Sequence, residues 1–197
     1  MTSSIPMFGV SQLGPHSFIF NHSITDADGF VEKIKDSISN SQWLNVGVSQ
    51  DQCMDVKANH EKSNRYFKQV TFDSPSNDLP LYISNSIKMA FWSTSDLYTN
   101  AFGLKNNKSS SSNLYRQEVS YIFDEGYEES EEFTAFLFLN ESQASSETFV
   151  VEDGIKSQFA PKKGSVLIIP PGSLYKIGHF SEDDQYYAVY NFSADII

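Results

Sequence analysis

The chain has 197 residues, 40% of them hydrophobic, which suits one sizeable core in a single domain and is too little for several large domains. A net charge of −11, a pI near 4.7 and guanidinium groups only at Arg65 and Arg116 exclude a nucleic-acid backbone as partner. No run approaches the roughly 18 apolar residues of a membrane helix, and MTSSIPMFGVSQLG carries neither a basic nor an apolar leader, so the expectation is a cytoplasmic or virion protein without membrane insertion.

The first apolar stretch runs around Phe18 to Phe20. After it, TDADGFVEKIKDSISN sets Phe30, Val31, Ile34 and Ile38 at helical spacing, predicting an amphipathic helix over residues 26–39 with Thr25 or Asp26 as cap. Cys53 has no partner for a disulfide or a zinc pair and reads as an inert thiol. NRYFKQVTF (64–72) has the β-branched and aromatic content of a strand. A second helix is predicted with Asp78 as cap, Pro80 in the first turn and Ile83, Ile87, Ala90 and Phe91 on one face, packed on the outside of a sheet.

KNNKSSSSN (105–113) holds no apolar residue and reads as a loop. From Leu114 onward the chain consists of short apolar runs at hairpin spacing: YRQEVSYIF, FTAFLFLN, TFVVEDG, IKSQF, GSVLII, LYKIGHF and QYYAVYNFS. Turn residues such as Glu152-Asp-Gly154 and Pro170-Pro-Gly172 separate them, the pattern of a β-sandwich or jelly roll. The fold class is therefore mainly β (α+β): a jelly-roll core over 114–197, with residues 1–113 supplying two supporting helices and a strand.

The order FTAFLFLNE (133–141), SSETF (145–149), APKKGSVLIIP (160–170) and a terminal aromatic strand resembles the iron(II)/2-oxoglutarate-dependent oxygenases, especially the prolyl-4-hydroxylase-like branch common in microbes and their viruses. The same stretch fits the broader cupin pattern through Glu147, Gly154, Gly164, Pro170 and Gly172. Both resemblances imply a double-stranded β-helix.

The oxygenase resemblance implies a facial triad of two His and one carboxylate on Fe(II), and a basic residue on the last strand for the far carboxylate of 2-oxoglutarate. An HxD pair is implied just before FTAFLFLN, where Tyr121–Tyr127 offers Asp124 but no His. The second His is implied shortly after PKKGSVLI, where Tyr175 and Lys176 stand. His179 lies four residues beyond Tyr175, far enough along a strand to miss the metal by about 10 Å. The basic residue is implied in Asp184-Gln-Tyr-Tyr187, at Gln185, and no Arg follows Arg116.

Asp124 sits in the acidic run DEGYEESEE (124–132), which reads equally as a solvated turn. Tyr175 and Lys176 either line a retained pocket, with Lys176 as a point charge for an anion, or Tyr175 fills the space the metal would take. Ser145-Ser146 stands where the family has paired glycines.

A family scaffold without the triad leads to the expectation of a pseudoenzyme: a structural or interaction protein, possessing no cofactor and binding protein partners in an assembly, such as a bacteriophage virion or tail component. The alternative is a divergent Fe(II)/2-oxoglutarate-dependent dioxygenase, or a ligand-binding cupin, using Asp124, His179 and His60. A third expectation, a sugar-binding jelly roll, rests on Trp92, Tyr186 and Tyr187.

Overall fold

The structure is a computed structural model, and it describes residues 9–24, 27–38, 44–46, 67–71, 79–107, 112–117, 128–141, 148–177 and 185–196. Thirteen strands and two helices are described, in the order β1 (Val10–Gln12), β2 (Phe18–Phe20), α1 (Phe30–Ser37), β3 (Leu44–Val46), β4 (Phe67–Thr71), α2 (Leu81–Ala101), β5 (Leu104–Asn107), β6 (Ser112–Gln117), β7 (Glu128–Glu129), β8 (Phe133–Phe138), β9 (Phe149–Glu152), β10 (Ile155–Gln158), β11 (Val166–Ile169), β12 (Leu174–Lys176) and β13 (Gln185–Ile196).

Nine strands form one sheet, in the order β1-β2-β11-β8-β13-β6-β4-β3 with β5 also on β13, and four form a second, β10-β9-β12-β7. All described pairings are antiparallel. From β6 to β13 the chain changes sheet at every step except the β9–β10 hairpin. That alternation builds a double-stranded β-helix: β6, β13, β8 and β11 face β7, β12, β9 and β10.

Strand alternation gives the large sheet two apolar faces. Phe136, Phe138, Leu167, Ile169 and Tyr187 point inward and meet Val150 and Ile177 of the small sheet. Ala135, Leu137, Val166, Ile168, Ala188, Tyr190 and Phe192 point outward and are covered by the helices. β11 therefore reads as an unbroken apolar run, and β8 as one interrupted only by the buried Thr134.

Helix α2 lays Ile83, Ile87, Ala90 and Phe91 on the outer face, as the spacing predicts. Ile83, Ile87 and Phe91 are fully buried, each worth about 1.5–3 kcal/mol on removal from water. Phe91 of α2 stacks on Tyr190 of β13 at 5.4 Å, tying helix to sheet, and Phe133 of β8 stacks on Phe192 of the neighbouring β13 at 5.3 Å. No helix among the described residues is long and apolar enough to cross a membrane.

Several local expectations are corrected. Helix α1 is shorter than 26–39, and its N-cap is Gly29 at φ 75°, without a side-chain cap bond. Thr25 and Asp26 lie outside the described residues, as does Asp78. Pro80 is the N-cap of α2 instead of a first-turn residue. The polar stretch 105–113 is not all loop: residues 105–107 lie in β5, paired with β13, and 112–113 open β6. Main-chain pairing with β13 holds the polar residues 105–107 in β5, helped by Asn107 Nδ2 donating to Asp195 Oδ2 at 2.6 Å. Within the acidic run, Glu128–Glu129 form the edge strand β7.

Candidate functional site

The barrel between the two sheets is where this architecture would hold a ligand. Tyr175 lies on β12 between Val150 of β9 and Glu128 of β7. Its ring meets Phe136 edge-on at 5.0 Å, and Phe136 continues to Tyr187 at 6.3 Å. Tyr187 contacts Phe138 at 6.4 Å, and Phe138 contacts Phe159 at 6.1 Å. Aromatic side chains therefore run through the barrel from Tyr175 to Phe159.

Tyr175 and Lys176 are neighbours in a strand and face opposite ways. With Tyr175 turned to the interior, Lys176 sits on the outer face of the small sheet, in register with Phe149, and is buried there. Tyr186 and Tyr187 are likewise buried, one on each face, which removes them as an exposed sugar platform. Trp92 remains 40% exposed.

Gln185 opens β13 on the same face as Tyr187 and is fully buried. Among the described residues, neither atom of its amide has a hydrogen-bond partner.

At the opposite end of the barrel, the β7–β8 and β11–β12 turns are laced together. Ser130 N–H donates to Ser173 O at 2.9 Å and Gly172 N–H to Ser130 O at 2.7 Å. The buried hydroxyls of Ser130 and Thr134 are 2.7 Å apart, and Ser130 Oγ also donates to Glu132 O. The adjacent Ser173 hydroxyl is buried, with no hydrogen-bond partner among the described residues. The three residues preceding β8 are thus Ser130, Glu131 and Glu132, two of them exposed.

A buried carboxylate that sequence reasoning missed closes this region. Glu152, at the end of β9, accepts from His16 N–H at 2.8 Å and from Ser17 Oγ at 2.7 Å, with His16 Nδ1 at 2.9 Å. Tyr98 of α2 donates to His16 O at 2.8 Å. Burial, and secondarily the Glu152 carboxylate, push the Tyr98 phenol well above its ordinary pKa. One side chain thereby fastens the β1–β2 loop to the β9–β10 hairpin. Donor atoms of His16, Glu152 and Asp153 lie within 4.8 Å of one another, a nitrogen and oxygen set compatible with a divalent ion. The sequence signals Glu152 only as part of a turn tripeptide.

No family model matches the sequence, and no curated protein is similar to it. Solved structures are similar in shape. The non-heme α-ketoglutarate-dependent carbocyclase SnoK from nogalamycin biosynthesis superposes with a TM-score of 0.62 at 8% identity, covering 91% of this chain and 79% of its own. The fold is that of the iron(II)/2-oxoglutarate-dependent oxygenases. A prolyl-4-hydroxylase from Pseudomonas putida (TM-score 0.47, 13% identity, 90% and 92% covered) and a collagen prolyl hydroxylase of Paramecium bursaria Chlorella virus-1 (0.46, 11%, 80% and 98%) are also similar.

An oxygenase of this fold needs ligands for iron and a cation for its co-substrate, and at two of the positions where the resemblance implies them the described residues are Tyr175 and Gln185. Where the resemblance implies the second His, the Tyr175 phenol ring is packed on Phe136. Where it implies a basic residue, the neutral Gln185 amide offers no charge to a dianion. Of the four histidines, only His16 and His22 lie among the described residues; Asp124, His60 and His179 lie outside them, as do Cys53, Ser145, Ser146 and Glu147.

Proposed function

We propose that this chain is a non-catalytic jelly-roll protein of the oxygenase fold, serving a structural or interaction role. The observation that carries the reading is Tyr175, whose ring packs on Phe136 inside the barrel where a metal-binding side chain is implied. A phenol held by an aromatic neighbour fills space that an iron site must keep open for two co-substrates. Exposed Leu81, Met89, Trp92 and Leu97 on α2 support a protein partner. Membership in a virion or tail assembly is the finer part of this proposal and rests on analogy at the level of fold.

The 0.62 TM-score to SnoK favours a second reading, a divergent dioxygenase completed by Asp124, His179 and His60. Metal content separates the two. The full chain is loaded anaerobically with Fe(II) or Mn(II), desalted and assayed for metal, alongside His16→Ala to remove any cation held with Glu152 and Asp153. The proposal expects His16→Ala to retain well under one equivalent; a full equivalent retained by that variant supports the dioxygenase.

A further inference from the structure

Helix α2 is apolar on both sides. Its inner face, with Ile83, Ile87, Ala90 and Phe91, is buried on the large sheet. On the opposite side Leu81 is 78% exposed, Met89 59% and Trp92 40%. At about 100° per residue, these side chains fall in one sector about 80° wide along a helix about 30 Å long. A helix that is hydrophobic all round belongs in an interior, and a surface helix normally sets charges on its outer side. Here none of the fully exposed residues of α2 is charged.

The charges of α2 indicate what covers this face. Within the helix only Lys88 and Asp96 are charged, and they cancel in a chain of net charge −11. The outer side of α2 is therefore a place where a second acidic copy can approach without the repulsion that the overall charge imposes. Lys88 and Asp96 are half-buried and lie on the apolar stripe, one turn before Trp92 and one turn after it. Asn106 Nδ2 donates to Asp96 Oδ1 at 2.9 Å and holds that carboxylate at the helix surface. A two-fold axis at Trp92 exchanges the ends of the stripe, so Lys88 of each copy comes level with Asp96 of the other. An isologous contact needs such self-complementarity, and an unrelated partner would not call for it. Lys88, Trp92 and Asp96 also form one i±4 ridge, and two such ridges crossing at about 50° make the commonest helix packing.

We infer that the outer face of α2 binds a second copy of this chain in an antiparallel two-fold pair centred on Trp92, with Lys88 of each copy set against Asp96 of the other. The apolar side chains supply the affinity, and the reciprocal charge pairs fix orientation and register. The inference names a partner for the interaction role proposed above and rests on that reading.

Sedimentation velocity on the full chain tests it. One helix pair lies at the low end of specific interfaces, so the parent is expected to dimerise with a dissociation constant on the order of micromolar. Trp92→Glu places like charges on the axis, Lys88→Glu sets Glu against Asp96, and Asp96→Lys sets Lys against Lys88. Each variant is expected to self-associate at least about tenfold more weakly than the parent, because like charges across an interface are strongly disfavoured. Mixed in equal amounts, Lys88→Glu and Asp96→Lys are expected to form a heterodimer within about threefold of the parent's affinity, since both facing pairs are again opposite in sign. Thermal melting at low concentration shows that the variants fold; Trp92→Glu carries the test if Asp96→Lys, deprived of the Asn106 bond, does not. A parent that stays monomeric overturns the inference and leaves the face to a different protein. Single variants that self-associate as well as the parent overturn it too, as does a mixture of folded variants that fails to pair. These results leave the non-catalytic reading intact, whereas succinate formed from 2-oxoglutarate overturns that reading whatever the oligomeric state.

Discussion

The ring of Tyr175 stands edge-on to Phe136, centroids 5.0 Å apart and planes inclined by 61°. This contact couples the small sheet to the large one across the barrel, and it makes the side chain at an implied metal position part of the core. Tyr175→Ala is expected to lower unfolding free energy by about 3 kcal/mol, the low end for a large aromatic because Tyr175 is only partly buried. Tyr175→Phe keeps the ring and is expected to change stability by about 1 kcal/mol or less. Urea unfolding of the two variants distinguishes a packing residue from one kept for chemistry.

Gly164, in the PKKGSVLI turn, has φ 77°, and a Cβ there would lie 2.6 Å from Ile24 O. Its own carbonyl accepts from Ile24 N–H at 3.1 Å. Gly164→Ala combines left-handed strain of about 1–2 kcal/mol with a clash against backbone. Gly172 has a similar φ of 79° and open space around it. Gly172→Ala is therefore expected to cost only the strain, and thermal melting should rank Gly164→Ala clearly below it.

The double-stranded β-helix was legible because every apolar run singled out after Leu114 contributes residues to a described strand. PKKGSVLI was the most informative stretch, since its glycine is forced both by φ and by the approach of Ile24. Which face each residue takes was not legible. Tyr175 and Lys176 look interchangeable in sequence, and only the pairing of Tyr175 with Val150 assigns one to the interior and the other to the outside. Glu152 was hidden for a related reason: a carboxylate beside Asp-Gly reads as surface, while its burial depends on the loop of His16 and Ser17, 135 and more residues away. Asp124, His60 and His179 lie outside the described residues.

Glu152 is expected to act as a fastener. Glu152→Ala strips His16 N–H and Ser17 Oγ of their acceptor and should lower stability by about 3 kcal/mol. Gly14→Ala places a Cβ against Glu152 Oε2 and disturbs the same bonds. Because both changes act on one contact, the double variant should lose less than the sum of the single losses. Additive losses in denaturant titrations would argue against a shared network.

Tyr98 predicts an alkaline limit. Its folded pKa is raised above the unfolded value of about 10, first by burial and then by Glu152. The folded state therefore keeps a proton that the unfolded chain gives up. The stabilisation is complete below about pH 10 and is lost as pH rises through the folded value, by about 1.4 kcal/mol per pH unit. Tyr98→Phe cannot ionise, so its stability should fall less steeply above pH 10, at the cost of the bond to His16 O. Parallel slopes for the two proteins would contradict the assignment.

The central claim is that a barrel of the oxygenase fold, with Tyr175 packed on Phe136 and the neutral Gln185 amide buried in the interior, does not turn over 2-oxoglutarate. Its most direct test is succinate formation by the full chain incubated aerobically with Fe(II), ascorbate and 2-oxoglutarate. The account predicts succinate no higher than in a protein-free control. Catalytic succinate formation in excess of the enzyme concentration would contradict it.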